Sequence, residues 1–262
     1  MPPAPPGALN RGMEQSETTF LIIAAAFFVA GLVKGVTGMG LPTVAMGILG
    51  GLLSPLTAAA LLLIPSLVTN VWQLLAGQHL KALLLLLWPM LAATSLGTLA
   101  GSFLLASGET ARTTVALGLT LAVYSAYTLL ARQHRVPPGW QAWASPVVGL
   151  ATGLFTGATG VFVIPAVPYL QALGLERDEL VQALGLSFTV STIALGLALF
   201  LHGTLPMADV KASTLAIVPA LAGMFAGQAL RTRISPPAFR RGFLLCMLCL
   251  GLEMALRPLL FP

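Results

Sequence analysis

The chain is 262 residues long, 57% hydrophobic and only 8% charged, with a net charge of +5 and a mean hydropathy of +0.92. Soluble domains carry roughly 25% charged residues, so this composition excludes a soluble globular protein and indicates an integral membrane protein. The basic excess lies in short loops between apolar runs, where it sets orientation against a bilayer, and nucleic acid is excluded as a partner.

In chain order, residues 1–18 (MPPAPPGALNRGMEQSET) hold four prolines and no signal-peptide core, and read as a disordered tail. The apolar segment 19–50 follows; it is longer than one span and is interrupted by GLVKGVTG at 31–38 and by Pro42. Spans of about 20 residues, enough for about 30 Å of hydrocarbon, run near 56–77, 83–106 and 113–131. RQHRVPPGWQA, at 132–142, is the most polar and proline-bearing stretch and reads as a linker. A second long segment, 143–173, is interrupted by GLFTGATG at 153–160 and by Pro165 and Pro168, and spans near 180–201, 212–230 and 242–261 complete the chain.

The halves 19–131 and 143–262 share three features in the same order: the glycine motif, Val68-Thr69-Asn70 against Val190-Ser191-Thr192, and Gly97/Gly101 against Gly223/Gly227. That order predicts an internal duplication. The fold class expected is an all-α polytopic membrane protein of two homologous repeats, four hydrophobic segments each, forming one integrated domain. Eight full crossings would place five Lys or Arg in the loops of one side and six on the other. If the two interrupted segments instead enter and return on the same side, the split becomes Arg11, Arg112 and Lys211 against eight, which obeys the positive-inside rule. The first segment of each repeat is therefore expected to be broken and re-entrant, and the repeats inverted relative to each other.

Irregular backbone at membrane depth survives only where protein or a water-filled cavity satisfies it. Lys34 lies between Glu17 and His79 with no other charge or histidine in that interval, and an intramembrane ammonium marks a pathway. Its counter-charge is expected as a small anionic substrate, aided by the N–H groups of a helix starting after the break. The candidate binding residues are Lys34, Gly35, Thr37, Gly38, Gly40, Asn70 and Gln73 in the first repeat. Their counterparts are Thr156, Gly157, Thr159, Gly160, Ser187, Ser191 and Thr192 in the second. Ser66, Thr69 and Thr189 add hydroxyls nearby, although a hydroxyl in a membrane helix commonly bonds its own preceding carbonyl. Gly97/Gly101 and Gly223/Gly227 read as helix-packing pairs, Cys246 and Cys249 as small buried side chains, and Glu253/Arg257 as a local ion pair. His202 and Asp209 are expected to be solvated, at a helix end and in a loop.

Gly35-Val36-Thr37-Gly38-Met39-Gly40, GLFTGATGVFVIP at 153–165, and the two glycine pairs resemble the TauE/SafE family of sulfite and organosulfonate exporters, over about residues 20–260. The resemblance implies a bacterial plasma-membrane transporter exporting sulfite or a short sulfonate, driven by a proton or by the membrane potential. Uptake of another small anion (thiosulfate, sulfate or a carboxylate) and a non-transporting membrane scaffold are the alternatives. An enzyme is not expected. The sequence has no metal-ligand cluster, no nucleophile elbow and no P-loop, and no cofactor is implied.

Overall fold

The computed structural model describes residues 8–130 and 135–260. Among them the regular structure is helical: α1 (Ala8–Thr37), α2 (Leu41–Leu52), α3 (Pro55–Leu75), α4 (Leu80–Ala106), α5 (Thr110–Leu130), α6 (Gln141–Thr159), α7 (Ala166–Ala172), α8 (Arg177–Leu201), α9 (Met207–Leu215), α10 (Ile217–Leu230) and α11 (Pro236–Leu260). A 3₁₀ turn, Pro138–Trp140, precedes α6. The chain is an all-α polytopic membrane protein. Among the described residues, six helical stretches are long and apolar enough to cross a bilayer: Glu17–Thr37, Pro55–Leu75, Leu80–Ala106, Thr110–Leu130, Arg177–Leu201 and Ala208–Leu230, the last running through α9 and α10.

The helix bounds refine the sequence reading. Helix α1 starts at Ala8, inside the stretch read as a tail; all four prolines precede it, so nothing from Ala8 onward opposes a helix, and residues 1–7 lie outside the described residues. The first interrupted segment contains a full-length helix, Glu17–Thr37, followed by a shorter apolar one, Leu41–Leu52. Helix α9 begins at Met207, which puts Asp209 in a first helical turn and not in a loop. Helices α9 and α10 part at Ala216 because Pro219 has no N–H to give Leu215.

The breaks themselves are made by glycine. Gly38 and Gly40 have φ of 79° and 101°, and Gly160 has 72°; these are left-handed conformations that L-residues resist. Gly160 also ends α6, its N–H donating to the Thr156 carbonyl at 2.8 Å. Helix α3 restarts at a Ser54 cap, whose Oγ accepts from Thr57 N–H at 3.1 Å, with Pro55 in the first turn. A capping box of Glu176 and Glu179 starts α8.

The packing is reciprocal between the halves. Helix α1 lies along α10, and α6 lies along α4. Gly31 and Gly35 sit on the Ala220 and Met224 carbonyls, and Gly223 and Gly227 on those of Phe28 and Leu32. Gly149, Gly153 and Gly157 meet the carbonyls of Met90, Thr94 and Thr98 in the same way, while Gly97 and Gly101 meet those of Leu150 and Leu154. Both pairs therefore run parallel, with backbones too close for any Cβ. Helices α5 and α11 join through Gly118 and Gly251, and α3 packs on α8. Cys246 and Cys249 are exposed, which corrects the expectation of burial; Leu244, Met247 and Met254 supply the buried face of α11 instead.

Hydrogen bonds show which helix ends meet. Gln73, near the end of α3, donates to the carbonyls of Gly38, just past α1, and of Val181, near the start of α8. At the opposite end, Ser102 of α4 meets His202 at the end of α8. Segment α1–α2 thus runs to the first end and turns back, while α6 runs from the first end and the chain returns there through α7, where Val136 N–H donates to the Ala172 carbonyl at 2.8 Å.

Candidate anion-binding site

Lys34 is 3% exposed, one turn before the end of α1. Its Nζ donates to Thr69 Oγ1 at 3.3 Å and to Asn70 Oδ1. Asn70 Nδ2 donates onward to Ser66 Oγ at 2.9 Å, and Ser66 Oγ lies 3.2 Å from Thr192 Oγ1. One polar chain therefore crosses from α1 through α3 to α8. Gly185 lets α8 approach this stretch, since a Cβ there would press on the backbone of Gln73 and Leu74. Thr69 and Thr192 each also give their hydroxyl to their own helix, to Pro65 and Phe188 carbonyls at 2.8 Å and 2.7 Å.

No carboxylate among the described residues pairs with Lys34. The ion pairs there are Glu109–Arg112 and the expected Glu253–Arg257, at 2.8 Å and 3.6 Å, both exposed. Burying an ammonium without an ionic partner costs several kcal/mol, and neutral oxygens supply only part of the compensation. The cluster lies toward the Leu75 end of α3 and not at its centre. Immediately outward, a cavity of about 490 Å³ is bounded by Gln73, Gly77, His79, Asp178, Val181 and Gln182. Gln73 stands between the two, its amide fixed on Gly38 and Val181 carbonyls at 3.0 Å and 2.8 Å. Gln182 completes the clamp: its Nε2 donates to the Leu74 carbonyl at 2.9 Å, and its Oε1 accepts from His79 N–H at 2.8 Å.

The remaining sequence candidates separate into groups. Thr37 caps the first break, 2.8 Å from the Val33 carbonyl and 2.6 Å from that of Met39. Gly38 and Gly40 form the break, whereas Gly35 faces α10 and Gly157 faces α4. Thr156 and Thr159 bond back to Thr152 and Phe155 carbonyls, both at 2.7 Å, and Gly160 rests against Met46 of α2 and Ala59 of α3. Ser187 and Ser191 are fully buried, and their hydroxyls have no partner. Sequence reasoning missed Thr43, in the first turn of α2, whose hydroxyl is likewise buried and unpartnered; no side chain caps that turn. It also missed Gln182; His202, expected to be solvated at a helix end, does end α8 but is half-buried, 3.0 Å from Ser102 and edge-on to Phe103. Among the described residues, no group of His, Cys, Asp or Glu could hold a metal ion.

No curated protein and no solved structure matches the chain. The model of the family described as "Sulfite exporter TauE/SafE" matches residues 23–254, which takes in both glycine breaks, the Lys34 cluster and the helix pairs that hold them. The chain belongs to this family of membrane transporters.

Proposed function

We propose that the protein exports a small sulfur oxyanion, sulfite or a short organosulfonate, across a bacterial plasma membrane by secondary transport, and that Lys34, Thr69 and Asn70 bind it. The observation that carries this reading is the buried Lys34 ammonium, held by neutral oxygens beneath the Gln73 cavity. Two of its three donors are committed to protein, and an oxyanion takes the third with full charge assistance. The uncapped first turn of α2, where Thr43 has a free hydroxyl, adds a local positive potential. Buried polar groups are nearly always satisfied, so Ser187 and Ser191 fit a path taken by ligand or water.

The two halves serve as inverted repeats, with the second glycine break as the opposite wall of the pathway. The reciprocal packing of α1 on α10 and α6 on α4 supports this. So does the distribution of charge. Lys81, Arg135, Arg177, Arg231, Arg233, Arg240 and Arg241 lie at or near the first end, whereas Arg11, Arg112, Lys211 and Arg257 lie toward the second. The first end is then cytoplasmic, and the Gln73 cavity opens to the side from which an exporter takes its cargo. Liposomes holding purified protein should pass sulfite or a sulfonate faster than empty ones, tested beside thiosulfate and a carboxylate. Flux of the carboxylate alone would replace the substrate class, and no flux of any anion would leave a scaffold.

A further inference from the structure

A second cavity, of about 420 Å³, opens at the same end of the bundle between the end of α5, the start of α6, α7 and the start of α11. Arg135 and Arg240 both face it, Trp140 and Tyr169 form part of its wall, and Pro165 and Pro168 line its side toward the second glycine break. None of the residues lining it is acidic, and neither arginine takes part in an ion pair among the described residues. Two unpaired guanidinium groups over one concave, largely apolar wall form a receptor for a phosphate or sulfonate oxyanion attached to a larger body. The volume selects against a free ion: cavities of about 300–1,000 Å³ suit ligands of drug size, and a four- or five-atom oxyanion would leave most of the wall wet. The position selects a lipid. Trp140 and Trp143, with ring centroids 5.5 Å apart, are exposed beside the opening, as aromatic side chains are at the bilayer interface.

We propose that this cavity binds the headgroup of an anionic phospholipid, its phosphodiester held by Arg135 and Arg240. Basic pockets between transmembrane helices are suited to such headgroups. The binding site has a structural consequence as well. Pro165 and Pro168 belong to the limb that returns the chain from Gly160 to α8, and Tyr169 is tied to Ser145 of α6 at 2.7 Å. A seated headgroup braces that limb against α6 and α11.

The test is native mass spectrometry of the full chain titrated with phosphatidylglycerol and, separately, phosphatidylcholine. Wild type should retain phosphatidylglycerol selectively, and Arg135→Gln/Arg240→Gln should bind it about 30-fold more weakly, at about 1 kcal/mol for each arginine removed. Arg231→Gln/Arg233→Gln removes as much charge from the same end but outside the cavity, and should behave as wild type. Equal losses in both double variants would overturn the proposal in favour of general surface attraction. Displacement of the lipid by inorganic phosphate would overturn it in favour of a free-oxyanion site. Thermal unfolding supplies the fold-independent reading: anionic nanodiscs should raise the wild-type midpoint above that in zwitterionic ones, and the Arg135/Arg240 variant, folded in both, should show no such difference.

Discussion

Ser191 separates ligand binding from packing at the level of single residues. Its hydroxyl is buried with no partner, so removing it relieves an unsatisfied group and should leave the unfolding midpoint unchanged or higher. If the hydroxyl serves substrate, Ser191→Ala should weaken sulfite affinity about tenfold, as loss of one hydrogen bond to a charged group does; a lower midpoint with unchanged affinity would make Ser191 structural. Thr156, which stands where the second half matches Lys34, already donates to Thr152. Thr156→Ala should therefore change affinity less than about threefold, well under the effect of losing a charge-assisted bond, measured in the same titration. Lys34 was legible in the sequence because it is the lone charge in a long apolar interval. Its junction with Thr69 and Asn70 was not, since it joins positions 35 and 36 residues apart. Gln73 was named as a candidate, but its partners are backbone carbonyls, which leave no mark on sequence. The same holds for Gln182.

Among the elements, the glycines do two different jobs that one motif conceals. Gly31 and Gly35, like Gly149, Gly153 and Gly157, recur every four residues and seat one helix backbone on another. Gly38, Gly40 and Gly160 turn the chain. The sequence reading separated Gly97/Gly101 and Gly223/Gly227 correctly as packing pairs. It assigned Gly35 and Gly157 to the site as members of the glycine segments, whereas they pack against α10 and α4, a face that sequence position alone does not reveal. Gly153→Ala should lower the unfolding midpoint, by an overpacking cost of about 1–3 kcal/mol, because its Cβ meets the Thr94 carbonyl. Gly196→Ala meets only Leu63 side-chain atoms at 3.6 Å and 3.7 Å and should be neutral or stabilising by about 0.5–1 kcal/mol. Thermal unfolding of the two in one detergent checks the order. Gly160→Val adds a β-branched side chain at a left-handed position, against Met46, at about 1–2 kcal/mol of backbone strain. The variant should still insert yet lose flux in liposomes; normal flux would confine Gly160 to packing.

For the whole molecule, the composition made the membrane class legible, and the apolar runs located most of the spans to within a few residues. The break in the first interrupted segment was legible in its glycines and Pro42, but the helix ends on either side were not, because a break of three residues, Gly38 to Gly40, is too short for hydropathy to show. The two-ended arrangement predicts that cysteines placed at 138–140 and at 231–235 label from the cytoplasmic side, and one placed at 107–109 from the other. Opposite labelling of the first two positions would restore eight separate crossings. Calorimetric titration of sulfite into purified wild type and Lys34→Met shows whether Lys34 supplies the charge that holds the cargo. Methionine keeps the bulk of the stem and removes a charge-assisted bond worth about 1.5–3 kcal/mol, so affinity should fall roughly 10- to 150-fold while the protein remains folded. A Lys34→Met protein that binds sulfite as tightly as wild type would contradict the account.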